Sequence, residues 1–460
     1  MYMFLALFLF LGFWLKVVVQ AIWFPGFVEA TGGFSGKPTE WDAALLAASC
    51  GALGAALPRL AHIFLMRRTV HESRNAGSAA PLWFARSRRV IWMATIASVL
   101  VLNAANLHFA FFQIGVNPTL VLPYHLNVPA AWLINIGFAL WIAVLAQWDF
   151  HLNRESLPSS VAVAMVEALA STVSALSRLS FLLHAGPYFI VLAEHWRTLK
   201  GRLSGRRMAV LASFFVAGLA ISVLTVFWLR VLDFHAVELD RLLRRSGVET
   251  ARPPSVAEKD VPPAAPPQAG PSTPSVAAND ARLNTVLTYQ RDVLLRQLPA
   301  LFVHRWVGLE GVLVVGAVSG RGRDLFIAAL TNDPKLGADS LFQQHAKTNF
   351  LASDAKTFTF LSNSGIIALL FYSDSFLIVM AGMAMITAIL MATERLMELA
   401  SRNTFLLAVA GAASANVVCQ MTFPYLVGVF LAQLWVAIAF LALVQHTDVA
   451  LSKLKEPPSG

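Results

Sequence analysis

The chain has 460 residues, 57% of them hydrophobic and only 13% charged, where soluble globular proteins carry about 25% charged residues. Nearly charge-free windows of about 18 residues or more recur along it, each long enough to cross a bilayer as a helix. This excludes a soluble globular protein, and the missing pattern of short alternating segments excludes a membrane β-barrel. The formal net charge of +9 reads as basic cytoplasmic loops. No basic stripe interleaved with aromatic residues points to nucleic acid. Cys50 and Cys419 both fall in hydrophobic runs, so neither a disulfide framework nor a cysteine-based metal site is expected.

Residues 2–23 form the first expected span, a retained helix because no basic leader or small-residue cleavage site accompanies it. Lys16 interrupts it and, lying near one end, is expected to snorkel to the interface, with facing the bundle as the alternative. Residues 24–41 make an outer loop and 42–66 the second span. Residues 67–89 carry six arginines against one glutamate. This marks a cytoplasmic loop and sets the amino terminus inside. Residues 90–113 form the third span, where Asn103, Asn106 and His108 must find partners on other helices, as packing contacts or as a site. An outer loop, 114–129, holds the pair Tyr124–His125. Residues 130–150 form the fourth span.

Residues 158–195 must pass an even number of times, because both flanks are basic, yet they are short for two spans. Two short helices breaking near Ser177–Ser180, a re-entrant hairpin and an interfacial helix all satisfy this. Glu167 and Arg178 stand out there, as a pair or with Arg178 beneath a lipid phosphate. Residues 209–232 form the next span and end at Arg230. The helical pattern then continues outside through Arg245. Residues 250–281 contain eight prolines and read as a flexible or polyproline linker. Residues 282–303 regain helical periodicity, and 325–362 look ordered. Residues 364–392 return through the membrane with Asp374 about ten residues in, costly unless paired. An inner loop, 393–403, precedes the last hairpin, 404–421 and 425–446.

The expected fold is an all-α polytopic transmembrane bundle, with eight firm spans, one ambiguous hairpin and a long extracytoplasmic loop. Residues 1–232 supply the first helices, 233–363 the loop, and 364–460 the last helices and a cytoplasmic tail. Both termini are expected in the cytoplasm.

The polar stretch His304–Asp324 is the candidate site. It gathers His304, Arg305, Glu310, Arg321, Arg323 and Asp324 among glycines. Guanidiniums flanked by glycine allow forks and backbone amides to approach a phosphate together. A basic turn on lipid headgroups is the plainer reading. The spacing of His304 and Glu310 fits no metal motif, and no nucleotide loop or nucleophile elbow occurs.

Four patches resemble the O-antigen polymerases (Wzy-type) of surface-polysaccharide clusters. They are R-W-V-G-L-E-G within 304–324, S-G-I-I-A-L-L-F-Y-S-D-S-F within 364–383, the loop I-G-V-N-P-T-L-V-L-P and the run S-A-L-S-R-L-S. The linker 250–281 departs from that pattern. The resemblance implies a bacterial inner-membrane enzyme without cofactor or metal. Such an enzyme transfers saccharide chains between undecaprenyl-diphosphate carriers on the periplasmic face, beside a chain-length regulator. Arg305, Arg321 and Arg323 would then face the diphosphate. Glu310 or His304 would take the hydroxyl proton, with Arg178, Arg230, Tyr124 and His125 completing the substrate pocket. A transporter or flippase for lipid-linked saccharides would instead use Lys16, Glu167, Arg178 and Asp374. A scaffold would recruit partners through 233–363.

Overall fold

The computed structural model describes residues 1–22, 27, 31–65, 80–114, 119–120, 122–123, 126–153, 156–194, 205–245, 306–332, 339–347, 363–401 and 403–455. Every regular element among them is helical. In chain order these are α1 (Tyr2–Leu9), π1 (Phe10–Leu15), α2 (Lys16–Ile22), α3 (Pro38–Leu65), α4 (Leu82–Phe109) and α5 (Asn127–Trp132). There follow π2 (Leu133–Gly137), α6 (Phe138–Leu152), α7 (Leu157–Ser174), α8 (Arg178–Glu194) and α9 (Gly205–Arg245). The last part of the chain forms α10 (Leu309–Gly316), α11 (Arg323–Leu330), α12 (Leu341–Ala346), α13 (Ile366–Phe371), α14 (Phe376–Ser401), α15 (Thr404–Cys419) and α16 (Pro424–Lys455).

Among the described residues, 8 helices are long and apolar enough to cross a membrane. The chain is therefore an integral membrane protein with an all-α, multi-pass bundle. Contacts divide it into one unit of Met1–Phe227 with His304–Gly460 and a second of Trp228–Val303. The described part of the second unit is residues 228–245, which are helical. The linker 250–281 and the pattern 282–303 lie outside the described residues.

Small side chains bring the bundle together. Ala44, Ala47, Ala48, Gly51, Gly54 and Ala55 form the buried stripe of α3. Hydrocarbon offers helices no hydrophobic drive to associate, so close backbone approach between small residues must supply the attraction. A methyl group on Gly54 would strike the carbonyl oxygen of Met380 on α14, and one on Gly51 would strike Ile367 of α13. The opposite face of α3 exposes Leu53, Leu57, Leu60 and Phe64, and α14 likewise exposes Leu377, Met385 and Leu399. These are the surfaces that lipid covers.

The ambiguous segment is a hairpin of two helices, α7 and α8, turning at Ala175–Ser177 with Leu176 at positive φ. Glu167 pairs with His184 across it. Arg178 stands at the start of α8, and its side chain lies outside the described residues. Asn106 supplies the packing contact its position requires. It accepts from the Phe112 amide and donates to the carbonyls of Phe112 and Ser174, tying the end of α4 to α7.

Four expectations need correction. The last part of the basic loop 67–89 is already helical, because α4 begins at Leu82 and Arg88 pairs with Asp149 of α6. The span 364–392 is broken, with α13 ending at Phe371 and a turn at Tyr372–Ser375 before α14. Asp374 occupies that turn with 53% of its side chain exposed, which removes the cost of burying an acid. The inner loop 393–403 is helical up to Ser401, as the last turns of α14.

Gly54→Ala is expected to cost about 1–3 kcal/mol through overpacking against backbone that cannot yield. Gly428→Ala, with nothing within 4 Å of the added carbon, should be neutral or slightly stabilising. Thermal unfolding in detergent compares the two.

Candidate functional site

The stretch 304–324 enters the bundle. Leu309, Glu310, Gly311, Val312, Leu313, Val314 and Val315 of α10 are all buried. The apolar run from Leu309 to Val315 is short for a span but suited to an interior helix. α13 is equally enclosed from Ile366 to Phe371.

Glycines let these short helices start deep. Gly12, in the π turn midway along the α1–α2 rod, lies so close to Val307 that a methyl group would hit its carbonyl oxygen. A methyl on Gly308 would stand 2.9 Å from the Gly12 carbonyl oxygen, and one on Gly311 would strike the carbonyl of Ser364. A methyl on Gly365, which has φ +81°, would meet the Cys419 carbonyl oxygen at 3.1 Å. The start of α13 is further tied down by Ser364. Its amide donates to Thr422 Oγ1 at 3.1 Å and its hydroxyl to the Met421 carbonyl at 3.0 Å. α10 therefore begins level with the middle of the first rod. It ends where Ala317 lies 3.8 Å from a methyl built on Gly33, beyond the end of α2.

At the deep end, Lys16 Nζ lies 2.5 Å from Glu310 Oε2, with the two side chains 1% and 7% exposed. Glu310 sits in the first turn of α10, where the amide dipoles favour a carboxylate. The expected snorkelling of Lys16 is corrected, since its buried ammonium faces the bundle, where Glu310 supplies the counter-charge. Trp306 packs on Phe8 of α1, ring centroids 5.3 Å apart.

At the far end, Gly320 takes φ +76° and turns the chain into Arg321. Arg321 Nη2 bonds Asp374 Oδ1 at 3.0 Å, and the guanidinium carbon stands 4.5 Å over the Phe371 ring. Its Nη1 is buried with no hydrogen-bond partner among the described residues. The Gly322 amide donates to the Tyr372 carbonyl at 2.9 Å. Tyr372 Oη and His345 Nδ1 are 3.0 Å apart, with His345 carried on α12, whose start is closed by a Ser340–Gln343 capping box. Arg323 points to solvent from the first turn of α11.

Of the residues singled out from sequence, Glu310 and Arg321 therefore stand at opposite ends of α10, and Arg323 is exposed. His304, Arg305, Tyr124 and His125 lie outside the described residues, as do the side chains of Arg178 and Arg230. Sequence reading missed Tyr372 and His345, and it did not pair Lys16 with Glu310. Lone charges of opposite sign inside apolar runs were the available signal. Among the described residues no three His, Cys, Asp or Glu side chains gather as a metal-binding set.

Removing one partner of a buried pair strands the other charge. Lys16→Met should therefore lower stability by about 3–5 kcal/mol, and adding Glu310→Met should recover most of that loss in the thermal midpoint. Burial holds the His345 imidazole below the usual histidine range. The unfolded chain then takes up the proton first as pH falls. The stability His345 contributes is complete above the unfolded value and lost as pH drops towards the folded one. The thermal midpoint should fall between about pH 7 and about pH 5, and fall less in His345→Gln.

No protein family, no curated protein and no solved structure matches this chain.

Proposed function

We propose that this membrane protein transfers saccharide chains between polyprenyl-diphosphate carriers, at the end of the bundle where α10, α12 and α13 meet. The observation that carries this reading is Arg321. Asp374 and Phe371 hold its guanidinium in place while its buried Nη1 has no partner among the described residues. A fixed fork with a free donor suits a phosphate oxygen. Arg323, two residues on and exposed, adds a second cation for the same diphosphate. The resemblance of 304–324 and 364–383 to polysaccharide polymerases supports the same class.

In the reaction, an acceptor hydroxyl oxygen bonds to the anomeric carbon, and the bond from that carbon to the carrier diphosphate breaks. The diphosphate leaves with the bonding electrons, and the arginines stabilise that charge. Nearly enclosed and held by Lys16, Glu310 acts here as a positioning residue for α10. The hydroxyl proton passes to the imidazole of His345, which stands at this same end beside Tyr372.

This reading sets the chain in a bacterial inner membrane, both termini cytoplasmic, with Arg321 on the periplasmic side. The approach of Gly32 to the His345 backbone supports a common side for the loop 24–41 and α12. A second reading, movement of lipid-linked saccharide across the bilayer, is favoured by the depth of the Lys16–Glu310 pair.

The test is the purified chain in vesicles carrying a polyprenyl-diphosphate oligosaccharide. Free polyprenyl diphosphate and lengthened glycan are expected, with release falling about 10²–10³-fold in Arg321→Ala. Transfer of intact lipid-linked saccharide between leaflets, with no bond cleavage, would establish the second reading instead.

A further inference from the structure

A second polar system lies in the α7–α8 hairpin, independent of the Arg321 end. Ser160, Glu167, Ser171 and Ser174 all lie on the buried face of α7. Ser160 donates to Asp149 Oδ2 at 3.1 Å, where Arg88 also bonds. Ser171 donates to Glu167 Oε1 at 2.8 Å, and Ser174 donates to Asn103 Oδ1 on α4. Polar groups thus follow the buried face from the Arg88–Asp149 pair to the end of α4. A helix held only by packing has no need of a carboxylate on that face.

The centre of this face is Glu167. His184 Nδ1 stands 3.0 Å from its Oε1 and 3.2 Å from its Oε2. His184 Nε2 stands 2.8 Å from the Asn135 backbone carbonyl. A carbonyl only accepts, so Nε2 carries a hydrogen. Nδ1 then faces a carboxyl group, and one proton must lie between them, on nitrogen or on oxygen. Without that proton, a lone pair would face a carboxylate in a setting where neither is solvated. The geometry shown is that of the proton-loaded pair.

Its surroundings are built for this. Asn135 belongs to π2, and a π turn displaces backbone carbonyls from the regular ladder. Tyr188, one turn beyond His184, is buried within electrostatic reach of Glu167, and its hydroxyl has no hydrogen-bond partner among the described residues. Among the described residues it is the further ionisable group facing the pair. α4 contributes Asn103 to the file, α6 is reached through the Asn135 carbonyl, and α15 places Phe405 against Tyr188, centroids 5.4 Å apart.

We infer that Glu167 and His184 form an exchangeable proton-binding site inside the bundle, whose loading holds α7 against α8. Losing the proton sets the two side chains against each other and loosens the hairpin. The ligand is the proton itself. The protein can thereby link its conformation to a proton gradient, whichever reaction the Arg321 end performs.

The test uses the full chain in lipid nanodiscs with ¹⁵N-labelled histidine. The His184 signals are assigned by their loss in His184→Gln. They are expected to titrate between about pH 5 and about pH 9. In Glu167→Gln, which removes the negative partner, the midpoint should move down by about one unit or more. In Ser171→Ala, which frees the carboxylate of a donor, it should move up. A His184 pattern that is constant over the whole range in the unsubstituted chain overturns the proposal. So does an unchanged midpoint in a folded Glu167→Gln. Should that variant not fold, the Ser171→Ala shift decides, an unmoved midpoint counting against.

Discussion

The ion pair between Lys16 and Glu310 is the constraint on which the arrangement of the carboxy-terminal half rests. Each charge stands in an otherwise apolar segment, and neither is tolerable there alone. Their meeting fixes the start of α10 against the middle of the first rod. α13 then packs on α10 and delivers Phe371 and Tyr372 to the place where Arg321 emerges. The glycines at 12, 308, 311 and 365 make this possible, because in this region backbone meets backbone with no room for a side chain.

Both buried pairs share a structural device. π1 ends immediately before Lys16, and π2 contains the Asn135 carbonyl that His184 reaches. A π turn shifts the register of everything after it and loosens the local ladder. In each case the irregularity lies where a buried charge needs aiming. Elsewhere the bundle packs through small residues, as on α3. The contrast follows from the solvent. Hydrocarbon rewards close packing and penalises an unpaired polar group, so polar chemistry is confined to a few fully partnered clusters.

The clusters differ in exposure, and that difference separates their uses. Arg321, Asp374 and His345 lie where helices end and solvent begins, and they can meet a large anionic substrate. Glu167 and His184 are enclosed on every side, and nothing larger than a proton reaches them without opening the hairpin.

Much of the architecture was legible in the residues alone. Apolar windows revealed the spans because transfer into hydrocarbon is a local quantity that sums along a segment. Two basic flanks forced an even number of passes through 158–195 but left three paths open, and a break near Ser177 was one of them. The candidate stretch 304–324 was found from its glycines and charges. What the stretch looked like, a polar loop, was not what it became. Seven apolar or small residues around Glu310 turn into an interior helix only when Lys16 offers a counter-charge, and those residues are 294 positions apart. Asp374 read as an intramembrane acid, because hydropathy cannot show a chain turning back at Tyr372. Sequence by itself determined that this protein lives in a bilayer and roughly where it crosses. Tertiary structure alone decided which charges meet, because the energy of a buried charge depends on its partner, and periodicity carries no record of partners so distant.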